Sequence, residues 1–297
     1  PAMIEGGGLG KFDPKEIGPT DVQKNNGVID YVAEDEKDAT NIAKKILSYF
    51  QGDIKDWKAD DQKKLSNIMP KDRRWSYPVR DIIKIISDIE QFTEIRPEYG
   101  KGIVSCFIRI EGKPFGLLAN DSQHLGGAID SEGADKASSF IEMCSEYGLP
   151  IISLVDTPGF MVGPDSEKEG AVRRMSNLFK IGSKVKVPLT AIFLRKGYGL
   201  GAQAMVGGSL HEPVYTAAWP TGEFGAMGLE GAVKLGFKKE LEKIEDNSKR
   251  EELFNSLVEK LYDKGKAIEA AAHLEIDAVI NPSETRSVIL KSQKAFV

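Results

Sequence analysis

Val187–Gly208 reads VPLTAIFLRKGYGLGAQAMVGG. Its opening run, Leu189 to Leu194, is apolar except for Thr190 and is bounded by Pro188 and the Arg195-Lys196 pair. That is the pattern of a strand buried on both faces of a sheet. Gly197, Gly199 and Gly201 space a turn, and Ala202, Gln203, Ala204 and Met205 follow as the start of a helix. A strand feeding a helix through a tight glycine turn leaves consecutive backbone N–H groups unpaired at the positive end of a helix dipole. Such a point holds a phosphate, or the oxyanion of an enolate or tetrahedral intermediate. Glycines that only allow close strand–helix packing are the alternative reading of the same stretch.

Similar segments surround it. PIISLVDTPGF (150–160) is a second buried strand ending in Asp156 and a Pro-Gly turn. Val214–Trp219 is a third, and GEFGAMGLEGAV (222–233) is another glycine turn feeding a helix. Residues 101–121 are two strands joined by the Glu111-Gly112-Lys113 turn. Asp130–Gly148 is a helix entered through Ser131. Gly170–Ile181 is another, with Ala171, Val172, Met175, Leu178 and Phe179 facing inward. Lys239–Gly265 is a charged helical excursion. Residues 276–284 return as strand and cap, and a last helix starts near Thr285. Alternation of helix and strand predicts an α/β fold with a largely parallel sheet and right-handed crossovers.

Upstream, 27–35 reads as a short strand and Ala39, Ile42, Ala43, Ile46, Leu47 and Phe50 as one helix face. Gly52–Ser66 is charged and aperiodic and reads as a linker. Residues 70–74 form a basic turn and Arg80–Ile89 a short amphipathic helix. A faint repeat places Ile29-Asp30, Val32, Ile42 and Lys44 on Ile276-Asp277, Val279, Ile289 and Lys291 without a gap. The chain opens at Pro1 without a methionine, and the reading is of a fragment of a longer polypeptide.

Composition narrows the classes. Across 297 residues the formal net charge is −5, so no broad basic surface suggests nucleic acid or an anionic membrane. Cys106 and Cys144 lie in apolar surroundings without a CxxC spacing and read as reduced core residues. No membrane span, signal peptide or metal-ligand cluster is read.

Motifs over nearly the whole chain resemble the carboxyltransferase component of biotin-dependent acyl-CoA carboxylases, of the propionyl- and acetyl-CoA carboxylase beta type. They are DRRWSYPVRDIIKIISD (72–88), FTEIRPEYGKGIVSCFIRIEGKPFGLLAN (92–120), LPIISLVDTPGFMVG (149–163), RKGYGLGAQAM (195–205) and AWPTGEFGAMGLEGAV (218–233). The resemblance implies a ClpP/crotonase-like spiral of ββα units. It implies three regions: 1–52 as the tail of an N-terminal carboxyltransferase domain, 53–68 as a linker, and 69–297 as the C-terminal domain. It implies carboxyl transfer from carboxybiotin to the α-carbon of an acyl-CoA, with the backbone N–H groups of Leu200 and Gly201 holding the biotin enolate oxygen. Two fixed donors that meet a charge only as it develops stabilise the transition state beyond the ground state.

By the same resemblance, Gly199, Gly126, Gly127, Gly159 and Phe160 line the biotin site, and Ala202 and Gln203 the acyl pocket. The Arg73-Arg74 pair is a contact for CoA phosphates, a solvated turn being the alternative. Biotin is carried on a separate domain or subunit. The implied partners are biotin carboxylase, the biotin carrier, and the N-terminal carboxyltransferase domain of a neighbouring subunit, in a dimer-based oligomer that is a hexamer at full length. The implied location is a bacterial cytoplasm, or the mitochondrial matrix in a eukaryote.

There are departures. The family's usual RKAYGGAYD stands here as RKGYGLGAQ, with Ala202 for tyrosine and Gln203 for aspartate. His124 reads as a packing residue or loop anchor, a general base being the alternative, and His211 and His273 as surface or helix-end residues. Asp156 reads as a cap for the Gly159 or Phe160 N–H, orientation of substrate being the alternative. Gly201→Pro is expected to delete one donor and leave the fold largely intact. A decarboxylase or transcarboxylase subunit running the half-reaction in reverse is the nearest alternative. A related serine hydrolase of the Clp-protease type would need a Ser-His-Asp set, and no serine in a nucleophile-elbow context stands near either central glycine turn. A purely assembly-mediating domain is the non-catalytic alternative.

Overall fold

The computed structural model describes residues 1–294. Three helices open the chain, α1 (Ala2–Gly6), α2 (Thr20–Asn25) and α3 (Glu36–Ser48). Then come α4 (Val79–Ile86), β1 (Phe92–Ile95), β2 (Ile103–Ile110), β3 (Lys113–Asn120), α5 (Ser131–Glu146) and β4 (Ile151–Thr157). They are followed by α6 (Pro164–Lys168), α7 (Ala171–Gly182), β5 (Leu189–Tyr198), α8 (Gly199–Met205), β6 (Tyr215–Ala218) and β7 (Glu223–Gly225). The chain continues through α9 (Leu229–Gly236), α10 (Lys238–Glu242), α11 (Asn247–Gly265), α12 (Ala267–Ala272), β8 (Ala278–Val279) and α13 (Thr285–Lys294).

One sheet runs β1-β2-β3-β4-β5-β6-β8, with β7 pairing β5 beyond the end of β6. The β1–β2 and β2–β3 pairs are antiparallel and all the others parallel. The Glu111-Gly112 turn closes the hairpin with two positive φ angles, 51° and 78°, which match the twist of the strands it joins. The apolar runs of β4 and β5 are explained by burial on both faces. Ile151, Val155, Ala191 and Phe193 enter a core under α5, α7 and α8. Ile152, Leu154, Ile192 and Leu194 enter a second core under α4 and α13. Each face removes apolar area from water at about 25 cal/mol per Å². No helix of the described residues is long and apolar enough to cross a membrane.

The structure corrects four expectations. Residues 27–35 form no strand, because no described strand runs alongside to take their backbone groups. Gly52–Ser66 is not a loose tether. Leu65 is fully buried, the Ile54 N–H donates to Gly112 O at 3.1 Å, and Arg109 donates to the Ser48 and Gly52 carbonyls at 2.6 and 2.8 Å. Val172 faces solvent rather than the core. Finally, β5 does not stop at Arg195 but runs on to Tyr198, because β7 pairs Lys196–Tyr198 with Glu223–Gly225.

Candidate active site

Parallel strands β4, β5 and β7 point their carboxyl ends one way, and the glycine turns gather there. Open α/β sheets commonly bind ligands at this end. The chain leaves β5 through Tyr198, the N-cap of α8, and Gly199, whose φ of 59° favours glycine. A Cβ on Gly199 would lie 2.8 Å from Ala226 O. Leu200 and Gly201 are thus the second and third residues of α8. Among the described residues no side chain caps that helix end, and N–H groups of a first turn have no carbonyl one turn back to bond. Leu200 is 63 % exposed and Gly201 is buried.

Gly201 is fixed by a backbone approach. A Cβ there would stand 2.7 Å from Gly159 Cα and 2.9 Å from Phe160 N. The β4 turn therefore packs directly on the first turn of α8. That turn is tied on its other side, with the Ile129 N–H donating to Gly159 O at 3.0 Å and the Met161 N–H to Ile129 O at 2.8 Å. Gly127 lies against the Asp156 carbonyl of β4, and exposed Gly126 precedes it in the same loop. The structure thus brings Gly126, Gly127, Gly159, Phe160, Gly199, Leu200 and Gly201 to one end of the sheet. Ala202 and Gln203, in the same helix, line a neighbouring cavity of 460 Å³ with Phe224, Ala226, Glu269 and His273.

Beneath these turns lies a buried charge network. Asp156 is fully buried and receives Arg195 Nη2 at 2.9 Å and the Lys196 N–H at 3.0 Å. Arg195 stacks over Tyr77, 5.0 Å to the ring centroid, and donates to Trp75 O at 2.7 Å. Lys196 reaches the Gly126 carbonyl with its ammonium. Burial pushes the pKa of Lys196 down, against the pull of Asp156. Burial also raises the Glu223 carboxyl, opposed by Arg73.

Two readings change at this point. Asp156 does not cap the Gly159 turn; the Thr157 hydroxyl accepts the Gly159 N–H at 3.1 Å, and Asp156 holds Arg195 and Lys196 instead. Gly201→Pro is not a clean deletion of one donor, since Gly159 leaves no room for the added carbons. Arg73 and Arg74 are both engaged by carboxylates. Arg73 meets Glu230 at 2.6 Å and Glu223 at 3.6 Å, and Arg74 folds back on Asp72 at 2.9 Å. His124 faces Asp130 at 3.4 Å, and the His273 ring lies 2.8 Å from Glu269 O.

Lys196 and Thr157 escaped the sequence reading. The only available signal was a charged pair directly before a glycine turn, and it looked like the end of the strand. The α11–α12 wall of the cavity, which includes Lys264, Glu269 and His273, carried no local signal.

The sequence profile of the carboxyl transferase domain matches residues 13–297. The chain is 32 % identical over 284 residues to the methylmalonyl-CoA carboxyltransferase 12S subunit of Propionibacterium freudenreichii subsp. shermanii, covering 91 % of this chain and 53 % of that one. It is 31 % identical over 285 residues to the propionyl-CoA carboxylase carboxyltransferase subunit of Haloferax mediterranei, covering 92 % and 54 %. Among solved structures, a single-chain, multi-domain long-chain acyl-CoA carboxylase superposes with a TM-score of 0.91 at 51 % identity, over 98 % of this chain and 28 % of that one. The transcarboxylase 12S hexamer with methylmalonyl-CoA superposes with a TM-score of 0.87 at 29 % identity, over 100 % and 58 %. The chain spans about half the length of the curated relatives it matches.

Proposed function

Since the chain belongs to the carboxyl transferase family and has its crotonase-like fold, we propose that it supplies the biotin-side half of an acyl-CoA carboxyltransferase site. One observation carries the reading. The uncapped first turn of α8 is wedged by Gly201 against the Gly159–Phe160 turn at the carboxyl end of the sheet. In this reading residues 69–297 are the C-terminal carboxyltransferase domain, and 1–52 are the tail of the N-terminal one.

The ureido group of biotin is small and neutral and needs two donors on one oxygen, which an uncapped helix turn flanked by glycines can offer. When bound, biotin supplies the carboxyl group and the oxygen on which negative charge gathers as that group leaves. Leu200 and Gly201 N–H groups meet that charge from a rigid helix start. Packing of Gly201 on Gly159 keeps them from reorganising as it forms. Gly159 and Phe160 wall the site on the β4 side, and Gly126 and Gly127 close it from the β3 side. Ala202 and Gln203 place the acyl chain in the neighbouring cavity. Positioning of two reactants in fixed geometry supplies much of the rate.

The acyl thioester is held by the N-terminal domain of a neighbouring subunit, which makes this chain inactive alone. Biotin arrives on a carrier charged by a biotin carboxylase, and a dimer-based hexamer is the assembly. The 51 % identity to the long-chain acyl-CoA carboxylase makes long acyl-CoA thioesters the first substrates to test, against propionyl-CoA. The same residues serve transfer in either direction. Relatives named as the methylmalonyl-CoA decarboxylase alpha subunit, such as that of Veillonella parvula, keep the decarboxylase alternative in view.

The test uses the full-length enzyme that contains this chain. Leu200→Pro deletes one N–H at the second helical position, where proline is tolerated. It is expected to slow carboxyl transfer by about two to three orders of magnitude, as loss of one oxyanion donor does. Leu200→Ala keeps the N–H and is expected to stay within about threefold. Equal activity in the two variants would remove the oxyanion role.

A further inference from the structure

The loop between β3 and α5 holds an unusual backbone. Leu125, Gly126 and Gly127 have consecutive φ angles of 48°, 63° and 91°. Glycines take such angles freely, but for Leu125 the left-handed region costs about 1 kcal/mol or more. Conformations of this kind persist only where their surroundings hold them.

The holding contacts at Leu125–Gly127 are few, although Ile129 just beyond is tied across, its N–H donating to Gly159 O at 3.0 Å and its carbonyl accepting the Met161 N–H at 2.8 Å. The Gly127 N–H donates to His124 O at 2.9 Å and the Ala128 N–H to Leu125 O at 3.1 Å, both within the loop itself. Gly127 rests on the Asp156 carbonyl, whereas a Cβ on Gly126 would meet nothing within 4 Å. The tie from Gly126 to the sheet is the Lys196 ammonium, which donates to its carbonyl from the third-last residue of β5, four residues before Leu200. The side chain of Lys196 is 17 % exposed, and its Nζ lies 3.8 Å from Asp156 Oδ1. Asp156 is itself pinned by Arg195. A charge-assisted bond to a carbonyl is stronger than a neutral one, and its geometry here is set from a strand interior rather than from a mobile surface side chain.

We propose that Lys196 is a positioning residue that spans from β5 to the Gly126 carbonyl and holds the Leu125–Gly127 loop at a fixed distance from the Leu200–Gly201 donors. The inference rests on the carboxyltransferase reading of this end of the sheet for its kinetic consequence, but not for its structural one. Lys196 does not touch the reacting atoms. It sets one wall of their site through Gly126, while the backbone after it sets the other through Gly199. Strand β5 thereby contributes to both walls, alongside the backbone ties of Ile129 to the Gly159–Met161 turn.

The experiment compares Lys196→Met and Lys196→Arg with the unaltered full-length enzyme. Lys196→Met keeps the aliphatic stem and loses the ammonium. It is expected to speed amide exchange at Gly127–Ile129 at least tenfold while β4 and β5 stay protected. It is also expected to lower kcat for carboxyl transfer about ten- to a hundredfold, with KM for the acyl-CoA changed less than threefold. Lys196→Arg retains a cationic donor and is expected to remain within about fivefold in both measurements. Unchanged exchange in Lys196→Met, or an unchanged kcat in an active enzyme, would overturn the proposal. So would Lys196→Arg behaving like Lys196→Met. If the unaltered enzyme transfers no carboxyl group, the functional reading fails, and the exchange comparison still decides the strut. If Lys196→Met does not fold, Lys196→Arg decides alone: native-like exchange at Gly127–Ile129 supports the strut, and accelerated exchange refutes it.

Discussion

Residues 29–50 and 276–294 share an Ile-Asp-x-Val opening and a helix with isoleucine at the matched position, Ile42 or Ile289. They end up at opposite edges of one sheet and in different states. In the later block β8 pairs β6 in parallel. The Asp277 N–H donates to Thr216 O at 2.8 Å, the Thr216 N–H to Asp277 Oδ2 at 2.7 Å, and the Ile280 N–H to Ala218 O at 2.9 Å. Ile289 is fully buried under the sheet. The earlier block meets the sheet just past the end of β1. There the Arg96 N–H donates to Asp30 O at 2.9 Å, and Arg96 pairs with the Asp30 carboxylate at 2.5 Å. Val28 is 68 % exposed and Val32 49 %. Tyr49 is its fully buried anchor, stacked near Phe107 with ring centroids 5.4 Å apart. The lesson is that an apolar pattern becomes a strand only where an edge runs beside it in register.

The comparison breaks most easily at its isoleucines. Ile289→Ala removes a buried side chain from a closed core and is expected to cost about 3 kcal/mol in equilibrium denaturation. Ile42→Ala, at a partly buried position on α3, is expected to cost less than about 1 kcal/mol. Similar losses would mean that the earlier block is as firmly docked as the later one.

A smaller effect sharpens the seam beside the earlier block. Lys136 is buried in α5 and donates to the Arg96 and Tyr99 carbonyls at 2.8 and 3.0 Å, holding the loop on which Asp30 docks. Burial pulls its pKa down to about 8, opposed by Glu94. An unfolded lysine keeps its proton to about pH 10.4. Between these values the unfolded chain binds more protons, so this group makes stability rise with pH, at most about 1.4 kcal/mol per unit. The stability of the unaltered protein relative to Lys136→Met is therefore expected to grow by about 2 kcal/mol from pH 8 to 10. Taking that difference cancels the buried Cys106 and Cys144, which are present in both proteins and shift in the opposite sense. A difference that is flat across this window would mean that Lys136 keeps its proton in the fold.

The smallest effect compares the two aspartates. Asp277→Ala leaves the Thr216 N–H without its acceptor and is expected to cost about 1–2 kcal/mol. Asp30→Ala breaks a half-exposed ion pair and is expected to cost at most about 0.5 kcal/mol. Chemical denaturation of both variants under one buffer would rank them, and a reversed order would refute the assignment of the firmer edge.

Much of the candidate site was legible because its parts are local. A strand followed by a glycine turn and a helix can be read from Leu189–Met205, since burial on both faces demands an unbroken apolar run and a positive φ favours glycine. The Asp156 assignment went wrong because a carboxylate at a strand end has several candidate partners nearby. The one that holds it, Arg195, is adjacent only through the β4–β5 pairing. For the same reason Lys196 looked like punctuation, not part of the strand.

Sequence alone determined the α/β alternation, the β2–β3 hairpin, the buried strands β4 and β5, and the family, because each rests on periodicity or on motifs carried by contiguous residues. Tertiary structure decided where β5 ends, that 27–35 is no strand, that 52–66 is bound to the body, and that Gly201 is wedged on Gly159. These depend on which backbone or charge arrives from elsewhere in the chain. A buried N–H, carbonyl or ion must be paired with whatever is adjacent in space, and adjacency in space is set by the sheet order.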